Sequence, residues 1–482
     1  MEIKDLSPQV VWHHFQALNN VPRPSKKEEK VIAFMKSFGE KNGLDTYVDL
    51  AGNVIIKKPA TAGMENRQTV IIQSHLDMVH QKNSDTVFDF NSQGINMLID
   101  GEWVTADGTT LGADNGMGVA AIMSLLVSKD IKHPAIEALF TIDEETGMTG
   151  AFELEQGILN GTILLNLDTE DDDEFSIGCA GGIDTNSSYA YEPTTTNSDM
   201  DFAYEISVTG LKGGHSGMDI HLERGNANKI MNRVMNAELS SQLRIVSIDG
   251  GSLRNAIPRE SFAVIVTNSG HSANTLKDII SLIKQEYSIS DANLNITVKS
   301  VELPKQTMNL VDTKKVIQSI AAVHNGVFRM SMAIEGLVET SSSLARVIVN
   351  DGFFQTQSLQ RSSVDSSKKE IADAVGACFS MIGAAVEHTG SYPGWAPDPN
   401  SKILEMMVPL YEKLYDEKPR VQACHAGLEC GILNERYPGL DMISFGPTIK
   451  NPHSPDEKVH IESVNKFWNF LLEVLQRIPE SN

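Results

Sequence analysis

Short apolar runs alternate with amphipathic segments over the first part of the chain. Residues 26–42 carry apolar side chains at helical spacing, whereas 69–74, 136–142 and 162–167 are continuous apolar runs of strand length. Residues 116–128 are rich in small side chains and are predicted as a further helix. Strands separated by helices in this way predict an α/β fold with a mixed, mostly parallel sheet flanked by helices.

The pattern changes after residue 182. Residues 202–301 predict the order strand, helix, strand, strand, helix, strand, which is typical of a compact two-layer α+β unit. A helix, three strands near 335, 345 and 357, and a long helix over 366–388 follow. A segment rich in proline and glycine at 390–399 is then predicted as a linker.

This change of pattern predicts two domains. We assign residues 1–182 and 391–482 to a catalytic domain, and residues 183–390 to an inserted α+β lid and dimerisation domain. A chain of 482 residues is too long for one hydrophobic core, which also favours more than one domain.

Charge and composition exclude several classes of partner. The formal net charge is −23, from 40 basic and 63 acidic side chains, so the surface repels phosphate backbones and anionic lipids. No apolar run is long enough to span a bilayer, and the first residues lack the apolar core of a signal peptide. We therefore expect a cytoplasmic protein that binds neither nucleic acid nor membrane. Its 4 cysteines are too few for a disulfide framework.

Three predicted strands end in side chains that can bind metal. One leads into His75 and Asp77, the next into Glu144 and Glu145, and the third into Asp168. The carboxyl ends of parallel strands meet at one crevice, so these side chains are expected to lie together. A single His-x-Asp is structural in most proteins, and acids after strands are common turn formers. The combination of three such strand ends is more specific.

Two loops complete a candidate metal centre. Asp114 precedes a predicted helix, and His453 lies in a late loop. Two histidines and three carboxylates can hold two zinc ions when one carboxylate bridges them. Of the adjacent Glu144 and Glu145, one can bind metal while the other acts as general base. His460 is the rival ligand, although its sequence context favours strand or core.

Four motifs resemble those of the co-catalytic zinc peptidases, the family that includes peptidase T and carnosinase. They are His75-Leu76-Asp77, 112–116, 143–147 and Asp168. Other stretches resemble the aminoacyl-histidine (Xaa-His) dipeptidases of that family, namely 58–67, 178–184, 211–217, 253–260, 425–431 and 446–461. The resemblance spans nearly the whole chain and implies a homodimer formed through the lid domain.

The resemblance implies which residues bind each metal. His75 and Asp168 are expected on one Zn²⁺, Glu145 and His453 on the other, and Asp114 between them. Manganese or cobalt can replace zinc in a carboxylate-rich site.

The resemblance also assigns roles around the metals. Glu144 is the expected general base, and Asp77 is expected to accept the second ring proton of His75 and orient it. A cis peptide bond is implied between Asp114 and Asn115.

The inserted domain supplies the remaining candidates. The resemblance makes His215 the donor to the tetrahedral oxyanion, Asn255 and Arg361 the ligands of the substrate carboxylate, and Gly427 a pocket residue. For Arg361 a surface salt bridge is the competing interpretation. The glycine-rich segment around His215 lacks the Gly-Lys-Ser/Thr of a phosphate loop.

The resulting prediction is a metal-dependent hydrolase of small peptides. It is expected to cleave Xaa-His dipeptides, including β-alanyl-histidine, with a zinc-bridging hydroxide and Glu144 as base. The alternatives are a related di-zinc amide hydrolase, such as an aminotripeptidase or deacylase, and a non-catalytic binding protein of the same fold. The acidic run over 170–174 is expected to be a solvated loop, or else a lure for the substrate's amino group.

Overall fold

The computed structural model describes residues 2–196, 200, 202–239, 242–268 and 272–481. The helices are α1 (Gln9–Asn19), α2 (Glu29–Lys41), α3 (Ala113–Val127), α4 (Thr149–Glu153), α5 (Ala227–Ala237), α6 (Ser272–Glu286), α7 (Leu310–Ala322), α8 (Asp365–Ser380), α9 (Lys402–Tyr415), α10 (Glu429–Arg436) and α11 (Ile461–Arg477), with 3₁₀ turns at Ile3–Asp5 and Ile220–Leu222. No helix in these described ranges is both long enough and apolar enough to cross a membrane.

The described strands range in length from 2 to 13 residues. They are β1 (Asp45–Val48), β2 (Val54–Lys58), β3 (Val70–His75), β4 (Met97–Asp100), β5 (Trp103–Ala106), β6 (Ile136–Thr141), β7 (Ile163–Asn166), β8 (Glu174–Cys179), β9 (Gly181–Ala190), β10 (Thr194–Thr195), β11 (Phe202–Thr209), β12 (Gly214–His215), β13 (Arg244–Gly250), β14 (Ala256–Ile257), β15 (Ser261–Thr267), β16 (Asn295–Ser300), β17 (Gln306–Thr307), β18 (Gly326–Met330), β19 (Val338–Asn350), β20 (Phe353–Ser362), β21 (Ala385–Tyr392), β22 (Arg420–Cys424), β23 (Asp441–Ser444), β24 (Ile449–Lys450) and β25 (Lys458–His460).

The chain divides into two units. Unit 1 comprises Met1–Gly178, Pro397–Ala423 and Leu428–Asn482, and unit 2 comprises Cys179–Ala396 and Cys424–Gly427. Each unit has its own sheet and its own helices. The lid and dimerisation roles given to the insertion stay predictions.

The main sheet of unit 1 has the strand order β1-β2-β6-β3-β7-β23-β8-β22. Its central pairs, β6 with β3, β3 with β7, and β7 with β23, are parallel. The outer pairs β1 with β2 and β2 with β6 are antiparallel. Strands β3, β6 and β7 are buried along their whole length, which explains their continuous apolar runs in the sequence. Their carboxyl ends therefore deliver side chains to one edge of the sheet.

A smaller antiparallel sheet in unit 1 has the order β24-β25-β5-β4. Val459 of β25 pairs with Val104 of β5 and with Ile449 of β24. Both of these valines are fully buried. The loop between β24 and β25 carries His453, so this pairing anchors the loop on both sides.

Unit 2 is built on a sheet of order β16-β11-β15-β13-β19-β20-β9-β21, with β18 added beside β19. The helices of this unit pack against it, α5 on β11, β15 and β19, and α8 on β9, β20 and β21. Their apolar side chains share one buried core. The small pair β12–β14 sets Gly214 opposite Ile257 and His215 opposite Ala256.

Two predicted elements of unit 2 differ from the structure. The strand predicted near 335 is wrong in position, because β18 ends at Met330 and β19 begins at Val338. The helix predicted over 366–388 ends at Ser380 in α8, and Ala385–Tyr392 forms β21 at the edge of the sheet. Gly383 has a φ of +94°, a conformation that interrupts a right-handed helix. The predicted linker therefore begins inside a strand, and residues 385–389 pair with β9.

Candidate metal centre and substrate-binding residues

His75 closes strand β3 and is held by the side chain that follows it two residues later. Asp77 is fully buried, and its carboxylate accepts hydrogen bonds from Ser25 Oγ (2.8 Å), Glu144 N (3.0 Å) and Glu145 N (3.3 Å). The Nδ1 atom of His75 lies 3.4 Å from Asp77 Oδ1 and 3.2 Å from the Asp77 carbonyl oxygen. Asp77 thus fixes the imidazole and the turn after β6 together.

Asp114 lies between the two histidines. One of its oxygens is 3.2 Å from Nε2 of His75, and the other is 3.2 Å from Nε2 of His453. On the first side, Asp168 Oδ1 is 3.5 Å from His75 Nε2, and on the second, Glu145 Oε2 is 2.9 Å from His453 Nε2. The structure therefore brings all five predicted ligands together as two histidine–carboxylate pairs with a shared carboxylate.

Two backbone features shape the loops that carry these ligands. The peptide bond between Asp114 and Asn115 is cis, as the resemblance implied, and Asn115 Nδ2 donates to Leu167 O and to Asp168 Oδ1. His453 has a φ of +61°, in the left-handed region. The amide of Asn115 thereby orients the carboxylate of Asp168.

The acidic neighbours raise the pKa of both imidazoles. Hydrogen bonds to Asp114 and Glu145 raise the pKa of His453 to about 11. Burial lowers the pKa of His75, but Asp168 and the hydrogen bond to Asp114 outweigh it and raise the pKa well above its usual value. A cation that binds here must displace the ring protons, so metal binding is expected to release them.

Glu144 differs from its neighbour in its environment. Burial raises its pKa well above the usual range, and the nearby charges of Asp168, Glu429 and Glu145 add to the rise while His75 opposes it. A carboxyl group whose pKa is raised by burial and like charge has the character of a proton acceptor in acid–base catalysis.

The donor set fits a pair of zinc-like cations. Ligand atoms of His75, Asp114 and Glu145 all lie within 4.8 Å of one another. Glu145 Oε1 is buried and has no hydrogen-bond partner, which is costly unless a cation or a proton satisfies it. Imidazole and carboxylate are the ligands that zinc takes in catalytic sites.

A second acidic group, Glu28, Asp77 and Asp143, lies in the same unit. Most of its oxygens are already engaged, because Ser25 and two backbone amides donate to Asp77, Lys26 pairs with Asp143, and Lys26 N donates to Glu28 Oε1. These contacts support the turns that carry His75, Glu144 and Glu145.

Three residues that the sequence did not single out hold these loops from below. Ser25 donates to Asp77, as described. Arg23 is 1% exposed and donates to the carbonyl oxygens of Leu76, Asp77 and Gly112. Glu457 is 2% exposed and accepts from backbone amides at the start of α3. The only sequence signal for Glu457 was its position four residues after His453, and that position does not distinguish it from other acidic residues in loops.

His215 of unit 2 is held in one tautomer. Its Nδ1 atom accepts from the backbone amides of Gly217 (3.2 Å) and Met218 (3.0 Å), so the proton of the neutral ring sits on Nε2. Burial and Arg361 lower the pKa of His215, which keeps the ring neutral. Asn255 lies beside it, because its carbonyl oxygen accepts from Ser216 N at 2.8 Å.

Arg361, at the end of β20, is a nearly buried cation without an acidic partner. It is 5% exposed, Nη1 donates to Tyr392 Oη at 2.9 Å, and Nη2 lies 3.5 Å from His215 Nε2. Among the described residues no carboxylate forms an ion pair with it, and its Nε is buried without a partner. Two neighbouring donors of this kind favour an acceptor, such as a carboxylate, that contacts both of them. The competing interpretation, a surface salt bridge, does not match this environment.

Gly427 belongs to a short segment of unit 2 that also contains His425. A Cβ atom on Gly217 would lie 2.1 Å from the carbonyl oxygen of His425, so the segment packs directly on the His215 loop. Ser341 Oγ lies 2.8 Å from His425 Nε2, and Ala180 N donates to Ala426 O. Gly427 lies two residues after His425 in the chain, and its predicted role in the substrate pocket stays a prediction.

The contacts of His460 and of the acidic run over 170–174 bear on two further expectations from the sequence. His460 accepts from Ser463 N as the N-cap of α11 and packs its ring on Trp103, so it is a structural residue. The acidic run pairs with basic side chains: Asp171 and Asp173 with Arg420, and Asp172 with Lys466. Residues 171–174 therefore form a salt-bridged loop of unit 1, whereas burial and the charges of Asp114 and Asp168 raise the pKa of Glu170 to about 8.

Comparison with known proteins agrees with this geometry. The model of Peptidase family M20/M25/M40 matches residues 71–477. The chain is 41% identical over 483 residues to the cytosol non-specific dipeptidase of Escherichia coli K12, covering 99% of each protein. It resembles the crystal structure of aminoacylhistidine dipeptidase from Vibrio alginolyticus with a TM-score of 0.95 and 44% identity, covering 100% of this chain and 99% of that one.

A more distant likeness extends to the fold alone. The aminopeptidase PepT of Bacillus cereus has a TM-score of 0.56 at 16% identity over 98% of this chain. The predicted α/β fold with an inserted domain and the predicted enzyme class are both confirmed by these matches. The chain belongs to peptidase family M20/M25/M40.

Proposed function

We propose that this enzyme is a two-zinc dipeptidase that prefers Xaa-His substrates, including β-alanyl-histidine, and acts in the cytosol. The observation that carries the metal assignment is the position of Asp114, with one oxygen at each histidine. The substrate class is supported by the two relatives that match the whole chain, one named a non-specific dipeptidase and one an aminoacylhistidine dipeptidase.

The ligands divide into two sets. His75 and Asp168 would hold one zinc ion, Glu145 and His453 the other, and Asp114 would bridge them. The bound ions would supply Lewis acidity at the scissile carbonyl and lower the pKa of the attacking water.

Glu144 then performs the proton transfers. Its backbone amide is anchored on Asp77, so the side chain is delivered from a fixed turn. The carboxylate accepts a proton from the water and passes it to the leaving amine. The elevated pKa of Glu144, caused by burial, matches a group that must hold that proton between the two steps.

Residues of unit 2 bind the two negatively charged groups of the reacting dipeptide, namely the developing oxyanion and the C-terminal carboxylate. His215, fixed as the Nε2–H tautomer, donates to the oxyanion that develops on the carbonyl oxygen. The guanidinium of Arg361, with no acid of its own, receives the C-terminal carboxylate of the dipeptide, and Asn255 assists from the neighbouring loop. Gly427 lines the pocket for this end of the substrate.

The remaining parts of the proposal concern assembly. The two sets of residues belong to different units, so catalysis requires the lid to close on the catalytic domain. We further propose that the enzyme is a homodimer formed through the lid domain.

A substrate panel with controlled metal content tests this function. Alanyl-histidine and β-alanyl-histidine should be cleaved faster than alanyl-leucine, trialanine or N-acetyl-alanine by enzyme that holds two zinc ions per chain. A chelator should abolish turnover, and zinc, manganese or cobalt should restore it. Cleavage of the tripeptide or the acylated amino acid ahead of every dipeptide would favour the aminotripeptidase or deacylase alternative. Full turnover without metal would refute the mechanism.

A further inference from the structure

Two buried side chains of opposite charge lie beneath the metal ligands and touch none of the ligand side chains at hydrogen-bond distance. Arg23 comes from the segment after α1, and Glu457 from the loop before β25. Both are almost completely excluded from solvent, at 1% and 2% exposure. An ionised group is buried at a cost of several kcal/mol unless many hydrogen bonds compensate, so each requires a reason for its position.

Glu457 accepts four backbone hydrogen bonds from one stretch of chain. Its Oε2 receives the amides of Leu111 (2.7 Å) and Gly112 (2.9 Å), and its Oε1 those of Ala113 (2.7 Å) and Asp114 (3.2 Å). Both carboxylate oxygens of Glu457 are therefore hydrogen-bonded to the segment that ends in Asp114, the proposed bridging ligand.

Glu457 also ties this loop to a second ligand. It lies four residues after His453 in the same loop, and its backbone amide donates to Ser454 O at 3.0 Å. Movement of Glu457 would therefore shift Asp114 and His453 relative to each other. The ligand atoms of these two side chains must stay about 3 Å apart to share a cation, and His453 Nε2 lies 3.2 Å from Asp114 Oδ2.

Arg23 makes the equivalent connection on the other side. Its Nη1 donates to Leu76 O and Asp77 O, both at 3.1 Å, and its Nη2 donates to Gly112 O at 2.5 Å. It thereby joins the loop after His75 to the loop of Asp114. The peptide group of Gly112 is held from both sides, its N–H by Glu457 and its carbonyl oxygen by Arg23.

The surrounding glycines leave space for this guanidinium. A Cβ atom on Gly112 would lie 2.5 Å from Arg23 Nη2, and a Cβ atom on Gly116 would lie 2.7 Å from the same nitrogen. Gly112 also has a φ of +68°, which side chains rarely adopt. The helix start is therefore shaped around the arginine.

We propose that Arg23 and Glu457 are positioning residues that set the spacing of the three loops bearing His75, Asp114 and His453, and so determine the affinity of the metal pair. The inference rests on the metal site of the proposed function. It adds that the geometry of the site depends on the hydrogen bonds of this arginine and glutamate, which act through the backbone of the ligand loops. Removal of outer partners of metal ligands typically weakens metal binding by roughly 10- to 100-fold.

The direct test is Glu457→Gln. The replacement keeps the shape of the side chain but turns one oxygen into an NH₂ group that faces two backbone N–H donors. Metal-free chain is titrated with zinc against a colorimetric zinc chelator, and its thermal unfolding is recorded separately. We expect zinc affinity to fall roughly 10- to 100-fold.

Glu137→Gln is the matched control. Glu137 is a buried glutamate of β6 in the main sheet of unit 1, 4% exposed, and accepts from the backbone amides of Asn160 and Gly161, away from the ligand loops. It should lower the unfolding temperature without changing zinc affinity. Equal loss of affinity in both variants, or an unchanged affinity in Glu457→Gln, would overturn the positioning role.

Gly116→Ala keeps the test open if Glu457→Gln does not fold. The added methyl group would lie 2.7 Å from Nη2 of Arg23 and 2.9 Å from the ring of Phe15, so it displaces the guanidinium and presses on this ring while both Arg23 and Glu457 stay in the chain. The same fall in zinc affinity is expected, and unchanged affinity refutes the proposal. A wild-type chain that binds no zinc would refute the metal assignment itself, whereas full zinc binding by wild type and variant alike would refute only the positioning.

Discussion

Asp77→Asn changes one atom of the carboxylate that supports the proposed metal centre. One carboxylate oxygen accepts from Glu144 N and faces His75 Nδ1, and the other accepts from Ser25 Oγ and Glu145 N. A carboxamide has the same shape but only one oxygen. Whichever way it is turned, an NH₂ group faces two donors, so the histidine, the base and a ligand lose part of their common support.

The size of the effect follows from these contacts. Loss of one hydrogen bond to a charged acceptor costs about 1.5–3 kcal/mol. At about 1.4 kcal/mol per factor of ten, that corresponds to roughly 10- to 150-fold. The range agrees with the roughly 10- to 100-fold loss of metal affinity or activity found when an outer partner of a metal ligand is replaced. We expect kcat/KM for alanyl-histidine to fall within it.

The assay compares kcat/KM and zinc content in Asp77→Asn and in Asp49→Asn. Asp49 is also buried and accepts from the amides of Gly52 and Asn53, but it touches none of the ligand loops. Both variants should unfold at lower temperature, and only Asp77→Asn should lose activity or zinc at limiting metal. If Asp77→Asn keeps wild-type kcat/KM and zinc affinity, the assigned role of Asp77 is wrong.

Three further predictions use the same preparations. Glu144→Gln should retain two zinc ions and lose kcat by roughly 10²- to 10⁴-fold, and near-normal turnover would contradict its role as base. Arg361→Lys should raise KM for alanyl-histidine about tenfold or more but not for its C-terminal amide, because a lysine cannot form the bidentate pair; equal effects on both substrates would contradict carboxylate binding. Burial lowers the pKa of His425 to about 3, below its unfolded value. The unfolded chain therefore binds more protons than the folded chain below about pH 6.5, and the free energy of unfolding decreases as the pH is lowered. Urea unfolding should show wild type losing about 2 kcal/mol more than His425→Gln between about pH 7.5 and 5, and identical pH dependence would exclude a buried neutral ring.

The buried strands of unit 1 were the most predictable part of the fold. The runs at 69–74, 136–142 and 162–167 became β3, β6 and β7 within a residue or two, because a strand buried on both faces needs continuous apolar side chains. The same pattern failed for Ala385–Tyr392, whose burial is mostly intermediate to exposed. An edge strand leaves no periodic apolar signal, so its polar residues were assigned to helix and linker.

The grouping of three proposed ligands followed from the ends of buried strands. His75 ends β3, and Glu145 and Asp168 lie in the loops that follow β6 and β7, and the topology of a parallel sheet makes such positions converge. Arg23 and Glu457 had no comparable signal. Their partners are backbone atoms 53 and 346 residues away in the chain, and any sequence offers those atoms at every position.

The proposed metal ligands and the supporting acids of this site differ in the groups that already contact their carboxylate oxygens. Asp77 and Glu457 accept backbone amides on both oxygens, so neither has a free lone pair directed at a cation without breaking those bonds. Glu145 keeps one oxygen buried and unpartnered, and the oxygens of Asp114 face only imidazoles whose protons a metal can replace. The sequence shows the same carboxylate at all of these positions. The fold separates the proposed metal ligands from the supporting acids by the number of N–H groups that it directs at each carboxylate, so converting a support into a ligand would require moving the backbone as well as the side chain.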